Sequence, residues 1–133
     1  LLAGGERVPV NGKGYFVAPT IFGDVEPGMT IAREEIFGPV LAMMSFQGGM
    51  DGAIPLANDT IYGLAAGIWT RDIKKALRTA HAVRAGTVWV NTYNMYDAGS
   101  PFGGYKQSGF GRELGSYALE GYTQVKSVWV DLS

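Results

Sequence analysis

No cysteine occurs among the 133 residues. That absence excludes disulfides, thiolate metal sites and cysteine nucleophiles together, while leaving the compartment open. Histidine occurs once, as His81. With no cysteine and no second histidine, a metal centre built from those ligands is excluded. His81 falls among Arg78 and Arg84 on a solvated helix face and reads as a surface residue. An excess of charge is missing too: eleven basic against twelve acidic residues give a net charge of −1. The basic residues are scattered, so neither a nucleic-acid footprint nor one for an anionic membrane is expected.

Long hydrophobic runs are also missing. The longest nearly apolar stretch, Ile36 to Phe46, contains Gly, Pro and Ser and falls well short of the ~20 residues of a membrane span. Leu1-Leu2-Ala3-Gly4-Gly5 leads into polar residues without a basic region or a long apolar core. No secretory pattern opens the chain, and a cytoplasmic location is expected. The first residue is Leu rather than Met.

What is present is a globular composition, 47% apolar and 17% charged, in a chain long enough to bury roughly 65–70% of its unfolded surface. Strand and helix signals alternate. Tyr15 to Phe22 is rich in aromatic and β-branched residues, with Pro19 implying an edge strand or an irregularity. Met29 to Glu35 is expected as a short helix, and Ile36 to Phe46 as a loop entering a buried strand. Asp51 can cap a short helix ending near Asn58, with Pro55 in or just beyond its first turn.

Leu64 to Thr70 is continuously apolar, as a strand covered on both faces should be. Ile73, Ala76, Leu77, Ala80 and Val83 then recur at helical spacing, with Thr70 or Asp72 as cap and Gly86 as stop. Thr87 to Asn91 is another buried strand, so the order strand, helix, strand predicts a crossover and a parallel pair. Asn91 to Gly115 is a long glycine-rich stretch carrying Tyr93, Tyr96, Phe102, Tyr105 and Phe110. Such a loop is functional or disordered, and its aromatic load argues against disorder. A helix with Leu114, Tyr117, Ala118 and Tyr122 on one face follows. Val125 to Asp131 closes with the alternation of a strand with one wet face.

Two phosphate-loop patterns fail on inspection. Gly109-Phe110-Gly111-Arg112-Glu113-Leu114-Gly115 has no strand before it and no βαβ unit around it, and Lys106 is not followed directly by Ser or Thr. Glu34 and Glu35 are adjacent, so their side chains diverge, whereas a hydrolytic carboxylate pair must converge on one bond. Glu35 abuts the apolar Phe37-Gly38-Pro39 segment. A partly desolvated carboxylate there would accept hydrogen bonds from paired donors such as two sugar hydroxyls; a solvated helix end is the plainer reading.

Glu34-Glu35-Ile36-Phe37-Gly38-Pro39-Val40 resembles the segment that touches the nicotinamide half of the cofactor in NAD(P)-dependent aldehyde dehydrogenases. The resemblance continues through Ala57-Asn58-Asp59-Thr60, Tyr62 to Ala66, Ala85 to Asn91, Ser100 to Gly109, Gly111 to Gly115 and Tyr122 to Lys126. These ordered motifs cover nearly the whole chain.

The resemblance implies an α/β fold: the C-terminal half of that family's catalytic domain over residues 1–121, then an oligomerisation strand over 122–133. It implies that Glu35 accepts hydrogen bonds from the nicotinamide ribose of NAD or NADP and that Phe37 packs near that ribose. Phe102 and Tyr96 resemble aromatics of the aldehyde channel, although aromatics in a glycine-rich loop also serve as core plugs. Lys106 and Gly109 match positions whose backbone carbonyls hold potassium between subunits in betaine-aldehyde members, and Glu113 matches a supporting charge-relay glutamate of that subgroup. Pro55 departs from the charged or long residue usual there. In that family a cysteine thiolate attacks the aldehyde, hydride passes to NAD(P), and a glutamate-activated water releases the acid. The nucleophile is not among these residues, so the chain alone is expected to be inactive, to hold no cofactor and to self-associate. A non-catalytic assembly module is the rival reading.

Overall fold

The computed structural model describes residues 1–133. The chain falls into two compact units, Leu1–Thr60 and Ile61–Ser133.

The first unit opens with a hairpin. Val10 and Lys13 exchange backbone hydrogen bonds at 3.0 Å, and Val8 N–H donates to Phe16 O at 2.9 Å. Asn11 (φ 51°) and Gly12 (φ 73°) form the turn, and both central positions need the left-handed region that Asn-Gly supplies at low cost. Strand β1 (Thr20–Phe22) pairs in parallel with β2 (Val40–Ala42), Thr20 opposite Val40. The short helix α1 (Thr30–Arg33) connects them.

Ile21 also bridges to Ala3 on its other side, so β1 is not the edge that Pro19 suggested. Pro19 stands just before the strand, where a missing N–H costs no ladder bond. Thr20 is only 4% exposed, and its hydroxyl accepts from Gly5 N–H and donates to Ala18 O, both at 2.8 Å. Helix α2 (Met50–Asn58) starts at Gly49 without a side-chain cap, so Asp51 is not the cap expected of it. Asp51 lies in the first turn, where its charge complements the helix dipole. Pro55 sits in the second turn of α2, removing one helical N–H.

In the second unit β3 (Ala65–Ile68) and β4 (Thr87–Val90) form the parallel pair, Ala65 opposite Thr87, with α3 (Ile73–Ala82) between them in sequence and packed on both. Asp72 caps α3 by accepting from Lys74 and Lys75 N–H at 2.9 and 3.1 Å. Ala76, 1% exposed, is the one buried residue of the helix. The helix stops at Val83 (φ −75°, ψ 129°), three residues before the expected Gly86. Gly86 serves a different purpose: a Cβ there would land on the Gly103 carbonyl, so glycine lets the long loop cross the start of β4. The β3 residues are half-buried, and Gly67 exposed, rather than covered on both faces, because two strands and one helix supply only one layer of cover.

Beyond β4 the loop holds a 3-10 turn, η1 (Lys106–Ser108), and the helix α4 (Ala118–Tyr122). Leu114, at φ 61°, lies outside that helix. Residues 125–131 form no strand ladder in the chain. Val125 is 104% and Trp129 93% exposed. The sequence pattern predicts one wet face, but with no strand or layer packed on the segment both faces stand open to solvent.

The fold is thus α/β with parallel strands. Its buried apolar core is small: Val25 in the first unit, Ala76, Ala85 and Trp89 in the second. The accessible surface is 10765 Å². One compact body of this mass would expose about 6,800 Å², and two bodies roughly 8,000 Å² together. The chain therefore buries only about half of its unfolded surface, less than its length allows.

Candidate functional site

Each unit presents one constellation. In the first, the chain leaves α1 at Arg33 and runs extended through Glu34 (φ −113°, ψ 136°) before turning into β2. The turn falls on Phe37, whose φ of 55° is left-handed. An aromatic residue pays roughly 1–2 kcal/mol for that conformation, and here no burial offsets it, since Phe37 is 91% exposed. Strain of this kind at an exposed residue is a mark of sites that present a side chain to something else. Beside it lies a concavity of about 290 Å³ lined by Ile31, Glu34, Glu35, Phe37, Val40 and Ala42, among others.

Both carboxylates line this concavity together with the aliphatic side chains of Ile31, Ile36 and Val40. Glu35 is exposed, so it lacks the desolvation expected from the sequence. Glu34, set aside there as divergent, belongs to the same concavity. The set offers acceptors beside an apolar surface and a free ring: it suits a hydroxyl-bearing ligand with a flat apolar part.

The second constellation is aromatic. Tyr93 packs against Trp89 at 4.8 Å between ring centroids and stacks on Trp69 at 6.3 Å. Tyr96 meets Trp89 edge-on at 5.5 Å and Phe102 edge-on at 5.2 Å. The Trp89 indole N–H donates to Met95 O at 2.8 Å, which pins the loop over β4. Trp89 is the buried anchor, while Tyr96 is 53% exposed. The structure thus joins Tyr96 and Phe102 and adds Trp69, Trp89 and Tyr93, which the sequence reading did not connect.

Phe102 and Glu113 exchange backbone hydrogen bonds at 2.7 Å each way, closing the glycine-rich loop at its base. The Arg112 guanidinium lies 5.3 Å above the Tyr105 ring and donates to Gly104 O at 3.0 Å. Phe102, Arg112, Glu113 and Tyr117 help to line a wider groove of about 790 Å³.

Lys106 (φ 53°) opens η1, and Gly109 (φ 134°) follows it. No cluster of acidic or histidine ligands stands anywhere in the chain, so a cation at these positions would depend on backbone oxygens. Two carbonyls supply a fraction of the roughly six to eight oxygens a hard cation takes. These residues alone do not make a potassium site.

A profile of the aldehyde dehydrogenase family matches residues 1–128. The chain belongs to the aldehyde dehydrogenase family. It is 58% identical to an aldehyde dehydrogenase of Agaricus bisporus over 130 residues, 98% of this chain and 25% of that protein. Against the human mitochondrial aldehyde dehydrogenase it is 55% identical over 118 residues, 89% of this chain and 23% of that one. A solved NAD+ complex of aldehyde dehydrogenase from Bacillus cereus superposes with a TM-score of 0.88 at 57% identity, covering 98% of this chain and 26% of that one. An indole-3-acetaldehyde dehydrogenase complexed with NAD+ gives 0.89 at 50% identity, with the same coverage. The chain therefore spans about a quarter of the length of the relatives it matches. No helix is long and apolar enough to cross a membrane.

Proposed function

We propose that this chain is the C-terminal portion of an NAD(P)-dependent aldehyde dehydrogenase, and that the Glu35–Phe37 concavity receives the nicotinamide ribose. The observation carrying this reading is the left-handed, 91% exposed Phe37 beside two carboxylates that line one concavity. Family solved structures bound to NAD+ support the choice of ligand. When bound, the cofactor would supply the hydride acceptor. Glu35 accepts hydrogen bonds from the ribose hydroxyls, and Phe37 packs on the sugar to orient it.

Tyr96 and Phe102 form part of the channel wall along which the aldehyde, on its way to a carboxylic acid, reaches a nucleophile carried outside these residues. Glu113 holds the base of that loop through its backbone and stands in a supporting charge-relay position. Lys106 and Gly109 contribute at most two carbonyls to a cation shell completed by others. Residues 122–133 act as the oligomerisation element of a homo-oligomer, adding to a sheet of a second subunit. Alone, the chain is inactive and holds no cofactor tightly.

The test is Glu35→Gln in the enzyme that contains this chain. A neutral amide is a weaker acceptor, so KM for NAD should rise about 10-fold while KM for aldehyde stays nearly constant. An unchanged KM for NAD would remove Glu35 from the site. Calorimetric titration of NAD into the chain alone should give no measurable heat; micromolar binding would contradict the reading.

The rival reading, a self-associating module without chemistry of its own, draws on the exposed apolar residues of both units and applies to the chain in isolation.

A further inference from the structure

We propose that Asn91 is the positioning residue of the aromatic channel wall, which rests on the reading of Tyr96 and Phe102 given above. Asn91 extends β4 by one rung, its N–H donating to Ile68 O at 2.8 Å. Its side-chain amide then faces Thr70 just past the end of β3. Oδ1 accepts from Thr70 N–H and Nδ2 donates to Thr70 O, both at 2.9 Å. One planar amide thus satisfies both backbone groups of a single residue, a paired contact that requires a donor and an acceptor side by side. Among the twenty side chains only Asn and Gln carry that group, and only Asn is short enough to tolerate the left-handed backbone found here, φ 55°.

The two features act together. The amide ties the ends of β3 and β4, which carry Trp69 and Trp89. The left-handed turn sends the chain back across β4 instead of onward, so that Tyr93 settles between the two tryptophans. Met95 O receives the indole proton, and Tyr96 reaches Phe102. Asn91 touches neither of the proposed channel aromatics; it acts through the path of residues 92–96.

The test uses two substitutions in the enzyme that contains this chain. Asn91→Gly keeps the freedom to adopt the turn and removes both amide bonds. Asn91→Asp keeps the acceptor for Thr70 N–H but sets a carboxylate against Thr70 O. Near-ultraviolet circular dichroism reads the Trp89–Tyr93–Tyr96 cluster directly, and steady-state kinetics with benzaldehyde and acetaldehyde read the channel. In both variants the aromatic dichroism should fall. KM for benzaldehyde should rise about 10-fold, the loss of one to two hydrogen bonds' worth of positioning, while kcat for acetaldehyde and KM for NAD stay within about 2-fold.

Unaltered dichroism in both variants would overturn the positioning role. A parallel loss of kcat and of NAD binding with every aldehyde would also overturn it, by showing a general structural role. Altered dichroism with unaltered aldehyde kinetics would leave Asn91 as the organiser of the cluster and overturn the channel reading instead.

Discussion

At the scale of single residues, Phe37 sets stability against function. Its left-handed backbone stores strain, and its ring is exposed, so replacing it by glycine removes a steric penalty and loses little burial. After allowing for the extra freedom glycine gives the unfolded chain, Phe37→Gly should stabilise the protein by about 0.5–1 kcal/mol. The same change should weaken NAD binding. Thermal unfolding of the isolated chain checks the first, by a raised midpoint, and KM for NAD in the enzyme that contains this chain checks the second, by an increase. A fall in the apo midpoint would mean the ring is held by contacts rather than merely displayed.

Residue-level chemistry was unevenly legible. The pairing of Glu35 with Phe37 in one segment was visible because the two are close in sequence. The exposure of Glu35 and the inclusion of Glu34 were not, because burial depends on what folds back over a segment. The bridging role of Asn91 was not legible, since its contact with Thr70 spans 21 positions. Asn11-Gly12 did carry one, the strongest short-range hairpin signature, flanked by Val8, Val10 and Phe16.

At the scale of elements, the strand–helix–strand of the second unit was the most legible part, because α3 combines helical spacing with a usable cap. Its cap can be weighed alone: Asp72→Ala leaves the Lys74 and Lys75 N–H groups without their acceptor and should cost about 1 kcal/mol. Urea unfolding reads that loss as a shift in midpoint at constant slope. Gly86→Ala separates the two explanations of that glycine. If nothing crossed at Gly86, alanine would be tolerated, because α3 already ends at Val83. If it is the point where the Gly103 backbone crosses, the added methyl forces the loop outward at about 1–3 kcal/mol.

The shortness of α4 was not legible. Leu114, Tyr117 and Tyr122 have helical spacing, yet Leu114 at φ 61° stands outside the helix. Periodicity records which residues could share a face, not where the helix begins.

For the molecule as a whole, the α/β class and the parallel pairing followed from the alternation of signals, whereas the amount of core did not. Composition predicts a chain able to bury a sizeable interior, but Phe110 is 102% and Tyr122 85% exposed. Surfaces of this kind pair with something. Light scattering of the isolated chain should therefore report a mass above that of one chain, rising with concentration. Removing residues 125–133 should lower it, since that segment carries Val125, Val128, Trp129 and Leu132 in exposed positions. A concentration-independent single-chain mass would count against any use of those residues in assembly.

The unusually large accessible area has a thermodynamic corollary. The sensitivity of unfolding to urea reflects how much surface becomes newly wetted, and 10765 Å² is already wet in the native chain. Its denaturant slope should be only about seven-tenths of that for an ordinary domain of equal length. The heat-capacity increment of melting should be diminished in similar proportion. The transition would be broad in denaturant and shallow in calorimetry, the signature of a polypeptide whose cohesion is completed by surfaces other than its own.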